Sequence, residues 1–230
     1  MEILTTDTPA KASGEHINKL IAEHDGDTLC LLSGGSALDV VERINVQEEK
    51  SECRTIFIMG DERGSRDAKL NNYLQLGTRY PEHWVTKKCL RTVPEENEKL
   101  ENFSARVSDQ LDSTLAELNN PQIIHLMGMG SDGHSAGIFP LSEDQFAAVY
   151  NYDQSIVPVH LESLTIDHRA SVTPQWILKH VDHIVGYAVG ANKKMTLESL
   201  KNETKPIHER PAELWKQKSG TRVYTDQVLD

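Results

Sequence analysis

Four times along this chain a short apolar run is followed by a glycine-bearing loop at the point where a buried strand would end. Thr28–Leu32 leads into Ser33-Gly34-Gly35-Ser36, Thr55–Met59 into Gly60-Asp61-Glu62-Arg63, Gln122–Met127 into Gly128–Pro140, and His183–Val189 into Gly190. Runs of this length bounded by glycine read as buried strands. Helical patterning follows several of them. Leu38, Val40, Val41 and Ile44 are spaced for one helix face, with Ser36 expected to cap that helix and Asp39 completing an approximate capping box. Glu95–Leu118 carries Leu100, Phe103, Val107, Leu111, Leu115 and Leu118 near one face, and Asn192–Leu200 reads as a further helix. Repetition of strand, glycine loop and helix predicts an α/β fold. It is a doubly wound, mainly parallel sheet flanked by helices, Rossmann-like, with right-handed crossovers. Ile156–Leu161 is expected as a further strand and Arg222–Tyr224 as an edge strand. Residues 67–90 and 205–219 give no pattern on which to draw boundaries.

The 230 residues suit one α/β domain over residues 1–230, and 38% hydrophobic with 26% charged residues is ordinary for a chain with a real core. The formal charge of −11 argues against nonspecific nucleic-acid or anionic-membrane partners. It also demands that any anionic ligand meet a local concentration of positive groups. Cys30, Cys53 and Cys89 form no CxxC pair, which fits reduced thiols in the cytoplasm, with Cys30 in the core. The N-terminal residues lack the basic flank and apolar stretch of a signal peptide, and no segment approaches the ~18 apolar residues of a membrane helix. The expected location is cytoplasmic, as a monomer or homodimer.

The stretch with most chemistry is 128–140, Gly-Met-Gly-Ser-Asp-Gly-His-Ser-Ala-Gly-Ile-Phe-Pro. Among its glycines stand one carboxylate, Asp132, and one imidazole, His134, the side chain best suited to move protons near neutral pH. An active-site loop at the carboxyl end of a strand is the expected reading. Gly34, Gly35 and Ser36 precede a helix N-terminus, where backbone amides and the dipole favour an anion; a plain turn with a capping serine fits the same residues. The charges of Asp61, Glu62 and Arg63 at a strand end need solvent, pairing or a ligand. Arg169 and Lys193 add basic groups near element ends, suited to phosphate as a fork and a point charge. His180-x-x-His183 has metal-like spacing without supporting carboxylates or cysteines and reads as structural, so no metal is expected.

Taken in order, these segments resemble the glucosamine-6-phosphate isomerase/6-phosphogluconolactonase superfamily. Ser33-Gly34-Gly35-Ser36 resembles its SGGS phosphate loop. Asp61-Glu62-Arg63 with Asn71-Asn72-Tyr73 resembles the lactonase DER…SNY segment. Gly128–Pro140 resembles GMGxDGHTASLFP, Arg169–Thr173 resembles RITLT, and Gly190-Ala191-Asn192-Lys193 resembles the GxxK that brings a lysine to the phosphate. The resemblance implies the NagB-type form of the fold, a sugar-phosphate substrate and no cofactor. Within the superfamily, the deaminase branch carries a glutamate before the proline and Asp-Glu-Tyr in the earlier segment. Here Phe139 and Arg63 stand in those places, favouring the lactonase branch.

The resemblance therefore implies hydrolysis of a sugar phosphate lactone. His134 is expected as general base, Asp132 as its orienting partner or that of the water, and Arg63 as the oxyanion donor. Gly34, Gly35, Ser36, Arg169 and Lys193 are expected on the phosphate, with Asp61 beside the substrate. The chain departs from the pattern at Ala37-Leu38, where the family has threonine and proline, at Gly137 in place of serine, and at Ala170-Ser171 in place of Ile-Thr. Alternatives are a glucosamine-6-phosphate deaminase/isomerase using Asp61 and His134, and a catalytically silent sugar-phosphate-binding domain.

Overall fold

The computed structural model describes residues 1–45, 53–151, 153–162 and 168–229. Its strands are β1 (Glu2–Thr5), β2 (Thr28–Leu32), β3 (Thr55–Met59), β4 (Asp61–Arg63), β5 (Gln122–Gly128), β6 (Ile156–His160), β7 (His168–Val172), β8 (His183–Tyr187) and β9 (Arg222–Thr225). Its α-helices are α1 (Pro9–Glu23), α2 (Asn72–Arg79), α3 (Trp84–Lys87), α4 (Leu100–Glu117), α5 (Glu143–Tyr150), α6 (Pro174–His180), α7 (Lys194–Asn202) and α8 (Leu214–Gln217).

Six strands form an all-parallel sheet in the order β1-β9-β8-β5-β2-β3. Its two faces are sealed by different sets of helices, which is why its central strands are buried along almost their whole length, mostly through apolar residues. From β2, Leu29 and Leu31 join a core with Phe103, Val107 and Leu111 of α4. Cys30 and Leu32 point the other way, to Ile17 and Ile21 of α1 and to Leu38, Val40 and Val41. Side chains that alternate across a strand account for this split. The helix-patterned stretch after β2 is a 3-10 helix, Gly35–Arg43.

Several sequence expectations are corrected. Arg222–Tyr224 lies within β9, which pairs with β1 on one side and β8 on the other; the edge strand is β1. Ile156–Leu161 contributes β6 to a separate three-stranded antiparallel sheet, β4-β7-β6, rather than to the parallel one. Asp61-Glu62-Arg63 is the short strand β4 of that sheet, not a loop. Ser36 does not cap its helix: Gly34 occupies the N-cap with no side-chain bond, and Asp39 pairs with Arg79 at 2.5 Å. The long helix begins at Leu100 rather than Glu95, because Glu98 turns back to accept from the Glu95 amide at 2.8 Å and binds Arg106. The stretches left without boundaries hold α2, α3 and α8.

Chain order on the sheet reverses between β2 and β5. From β2 the chain moves outward to β3, and from β5 it proceeds the opposite way through β8. The loops leaving β2 and β5 therefore diverge at their carboxyl ends. In open α/β sheets ligands bind in that crevice.

Candidate active site

A cavity of about 190 Å³ opens at this switch point, lined by the loop after β2 on one side and the loop after β5 on the other. Ser33 stitches the two together, its Oγ accepting from the Gly128 amide at 3.3 Å. Gly34, Gly35 and Ser36 all face the cavity, and the latter two are exposed. The first amides of a helix have no acceptor within it, so the start of Gly35–Arg43 presents donors there.

Gly34 is fixed by what lies beneath it. A Cβ there would fall 1.9 Å from Asn72 Oδ1, so the loop passes over Asn72 only because it has no side chain. Asn72 is itself held, Nδ2 donating to the Asp61 carbonyl at 2.9 Å and its amide to Glu62 Oε1 at 2.6 Å. Glu62, 1% exposed, also accepts from the Arg63 and Tyr73 amides and from Thr92 Oγ1. Burial pushes its carboxyl up to about 8, against the pull of those four donors. The middle carboxyl of the Asp61-Glu62-Arg63 cluster is thus a structural tie at the start of α2.

The two flanking charges part company. Asp61, 6% exposed, lines the cavity and lies 3.6 Å from Arg169 Nη1. Arg63 is not among the lining residues; its Nη1 donates to the Leu70 carbonyl at 2.7 Å. Arg169, one strand over on β7, does line the cavity. Burial lowers the pKa of Arg169 and Asp61 offsets part of that; a guanidinium stays charged regardless. Lys193 lines the same cavity from the 3-10 turn Ala191–Lys193; burial lowers its pKa and Asp132 works against the shift.

The loop after β5 is held far more tightly. Ser135 and Ile138 exchange backbone bonds at 3.1 and 3.2 Å, closing a turn around Ala136, whose φ of 52° is unusual for a residue with a side chain. Gly137 stands where a serine would collide: a Cβ there would lie 2.6 Å from Ser171 Cβ, and the Gly137 amide donates to Ser171 Oγ at 3.1 Å. Within this frame His134 Nδ1 and Asp132 Oδ1 are 2.6 Å apart, and the same oxygen accepts from the His134 amide at 3.1 Å. Burial raises the Asp132 pKa, but the bonds and charge of His134 outweigh it, holding the carboxyl below its ordinary value. An ionised carboxylate only accepts, so Nδ1 is the donor in this bond, and in the neutral imidazole the lone pair is then on Nε2.

The sequence-derived residues Gly34, Gly35, Ser36, Asp61, His134, Arg169 and Lys193 thus share one cavity, with Asp132 bonded behind His134 and Arg63 outside the wall. Among charged lining groups Arg169 and Lys193 outnumber Asp61, a local positive excess in a chain of net −11. Sequence reading missed the ties from distant segments: Tyr150, Ser171 and Trp215, whose Nε1 donates to Ser135 Oγ at 3.0 Å. Tyr150 and Trp215 carry no motif signal, because each looks like an ordinary core residue, and Ser171, though within the Arg169–Thr173 segment, stands out there only as a departure from the family pattern. His180 stacks on Trp176 with ring centroids 5.2 Å apart. Among the described residues, no cluster of His, Cys, Asp and Glu is arranged to hold a metal ion, and no helix is long and apolar enough to cross a membrane.

The chain is 25% identical to a 6-phosphogluconolactonase of Chlamydia muridarum, over 83% of this chain and 73% of that protein. Among solved structures it is similar to the Thermotoga maritima 6-phosphogluconolactonase, with a TM-score of 0.74 at 20% identity, covering 97% of this chain and 98% of that one. It is similar to the same degree to a monomeric glucosamine-6-phosphate deaminase, with a TM-score of 0.74 at 16% identity, covering 99% and 98%. These structural likenesses speak for the fold. The family model of glucosamine-6-phosphate isomerases/6-phosphogluconolactonase matches residues 5–224, so the chain belongs to that family.

Proposed function

We propose that this chain hydrolyses 6-phospho-D-glucono-1,5-lactone to 6-phospho-D-gluconate, the lactonase step of the oxidative pentose phosphate pathway. The observation that carries the reading is the Asp132–His134 pair, at 2.6 Å, standing beside Phe139 rather than a carboxylate. The substrate phosphate sits on the amides of Gly34–Ser36 and the Ser36 hydroxyl, countered by Arg169 and Lys193. That anchoring holds the lactone carbonyl near His134 and removes orientational entropy from the chemical step.

Nε2 of neutral His134 takes a proton from a water molecule as its oxygen bonds to the lactone carbonyl carbon. The carbonyl electrons move onto oxygen, forming a tetrahedral oxyanion. When they return, the bond from carbon to the ring oxygen breaks, and the imidazolium gives its proton to that leaving oxygen. The resulting carboxylic acid ionises to solvent. Asp132 keeps Nδ1 protonated and stabilises the imidazolium between the two transfers. Arg63 is assigned to the oxyanion, for which its guanidinium exchanges the Leu70 carbonyl for the substrate. Asp61 steadies Arg169 beside the substrate. One general base contributes about 10²–10⁴-fold and one oxyanion donor about 10²–10³-fold, sufficient for a bond as labile as a lactone's.

A deaminase reading draws on Asp61, which lies in the cavity with His134. Against it, Phe139 can neither donate nor accept a proton where that branch has glutamate. Parallel assays separate the two: acceleration of lactone decay above the spontaneous rate without ammonia release from glucosamine 6-phosphate supports the lactonase. Ammonia release without lactone hydrolysis overturns it.

A further inference from the structure

Phe139 is more than the absence of a glutamate. Its ring centroid lies 4.7 Å from that of His134, with the planes 38° apart, and 5.1 Å from the guanidinium carbon of Arg169. The ring, 3% exposed, is thereby in contact with two groups of the cavity that belong to different elements, the loop after β5 and strand β7. Its own position is set from the backbone. The Phe139 amide donates to the Tyr150 hydroxyl at 3.0 Å, and that hydroxyl donates to the Gly137 carbonyl at 2.9 Å. Tyr150 is 1% exposed on α5, and burial raises its pKa, so the hydroxyl keeps the proton it donates.

We propose that Phe139 is a positioning residue, a single aromatic platform that fixes the proton-transferring imidazole and the anion-binding guanidinium relative to one another. The inference rests on the reading of His134 as base and Arg169 as phosphate ligand. An aromatic face carries negative charge density and attracts a guanidinium. The same ring meets a second cation when His134 takes up its proton, an interaction stronger in the reacting state than in the resting one. A flexible apolar side chain at this position fills the space without supplying either the flat contact or the quadrupole.

The platform makes a linked prediction that ordinary packing does not. Phe139→Met conserves most of the volume. It is expected to lower kcat about 10-fold through His134 and to raise the Kd for inorganic phosphate about 3-fold through Arg169. The two effects separate in double variants. Adding Phe139→Met to Arg169→Met leaves phosphate affinity where Arg169→Met alone put it, and adding it to His134→Ala leaves the residual rate unchanged. An NMR spectrum supplies a readout independent of activity: His134 ring protons, assigned by their loss in His134→Ala, move downfield when the aromatic ring current is removed. Circular dichroism and thermal melting establish that the variants are folded, with Phe139→Leu as the substitute if Met fails to fold.

A folded variant with kcat or phosphate affinity unchanged, or with fully additive double variants, overturns the platform. Wild-type protein that does not hydrolyse lactone, yet shows the phosphate and ring-proton changes in Phe139→Met, overturns the lactone reading while supporting the platform.

Discussion

The two loops that leave the sheet at its switch point solve different problems. The loop after β2 spans only Ser33 and Gly34 before the helix at Gly35–Arg43 begins, and what it and the helix start contribute to the cavity is backbone and the two serines Ser33 and Ser36. The loop after β5 is longer and is tied by side chains from four other elements. Tyr150 of α5 bonds Gly137 and Phe139, and Ser171 of β7 bonds Gly137. Thr196 of α7 bonds the Ser131 carbonyl at 2.6 Å, and Trp215 of α8 bonds Ser135. An anion is satisfied by amides that a helix start already supplies, and the backbone there is fixed from beneath by Asn72. Proton transfer needs one ring nitrogen held at hydrogen-bond reach of a water, a tolerance that loose loops do not meet. The same distinction explains why Ala37-Leu38 is tolerable after the first loop: both side chains are buried in the core and neither lines the cavity.

Breaking the second loop's chemistry produces the largest effect. His134→Ala is expected to lower lactone turnover by about 10²–10⁴-fold, with affinity for 6-phosphogluconate retained in a calorimetric titration. Asp132→Asn offers Nδ1 an amide that no longer fixes the tautomer; a fall in kcat of about 10²-fold or more with KM little changed is expected. On the first loop, Gly34→Ala drives a methyl into Asn72, forcing a shift of the loop. About 10-fold weaker binding of 6-phosphogluconate and a stability loss of about 1–3 kcal/mol by chemical denaturation are expected, with the saturated rate nearly intact. Smallest of all is Ala37→Thr, which restores a hydroxyl to a fully buried site outside the cavity. A change in KM below about 3-fold is expected, together with a stability cost of about 1–3 kcal/mol for the buried hydroxyl.

The central strands were legible because a buried run such as Leu29–Leu32 is apolar throughout and leads into a glycine-bearing loop. β1 and β9 were harder, being four residues each, with Glu2 and Arg222 exposed and ion-paired to each other. α1 was missed because its buried face is built partly of small residues. Gly14 lies against Arg43, where a Cβ would fall 2.4 Å from that side chain, so the usual apolar stripe is interrupted. β4 escaped because three consecutive charged residues look like a loop; they form a strand since Glu62 is satisfied by four donors and Asp61 faces Arg169. At the site, residues that carry motifs were legible one by one. What sequence does not carry is direction. Asp132 and His134 meet because the turn folds one onto the other, whereas Arg63 aims its guanidinium at Leu70.

The most direct test of the division between the loops is a crossed measurement on His134→Ala and Gly34→Ala. Hydrolysis of freshly generated 6-phosphogluconolactone, with spontaneous decay subtracted, is read beside calorimetric affinity for 6-phosphogluconate. The predicted result is that His134→Ala loses the rate and keeps the affinity, while Gly34→Ala weakens affinity and approaches wild-type rate at saturation. Equal loss of rate and affinity in both folded variants would contradict it, making the cavity a single unit with no separate anchor and base.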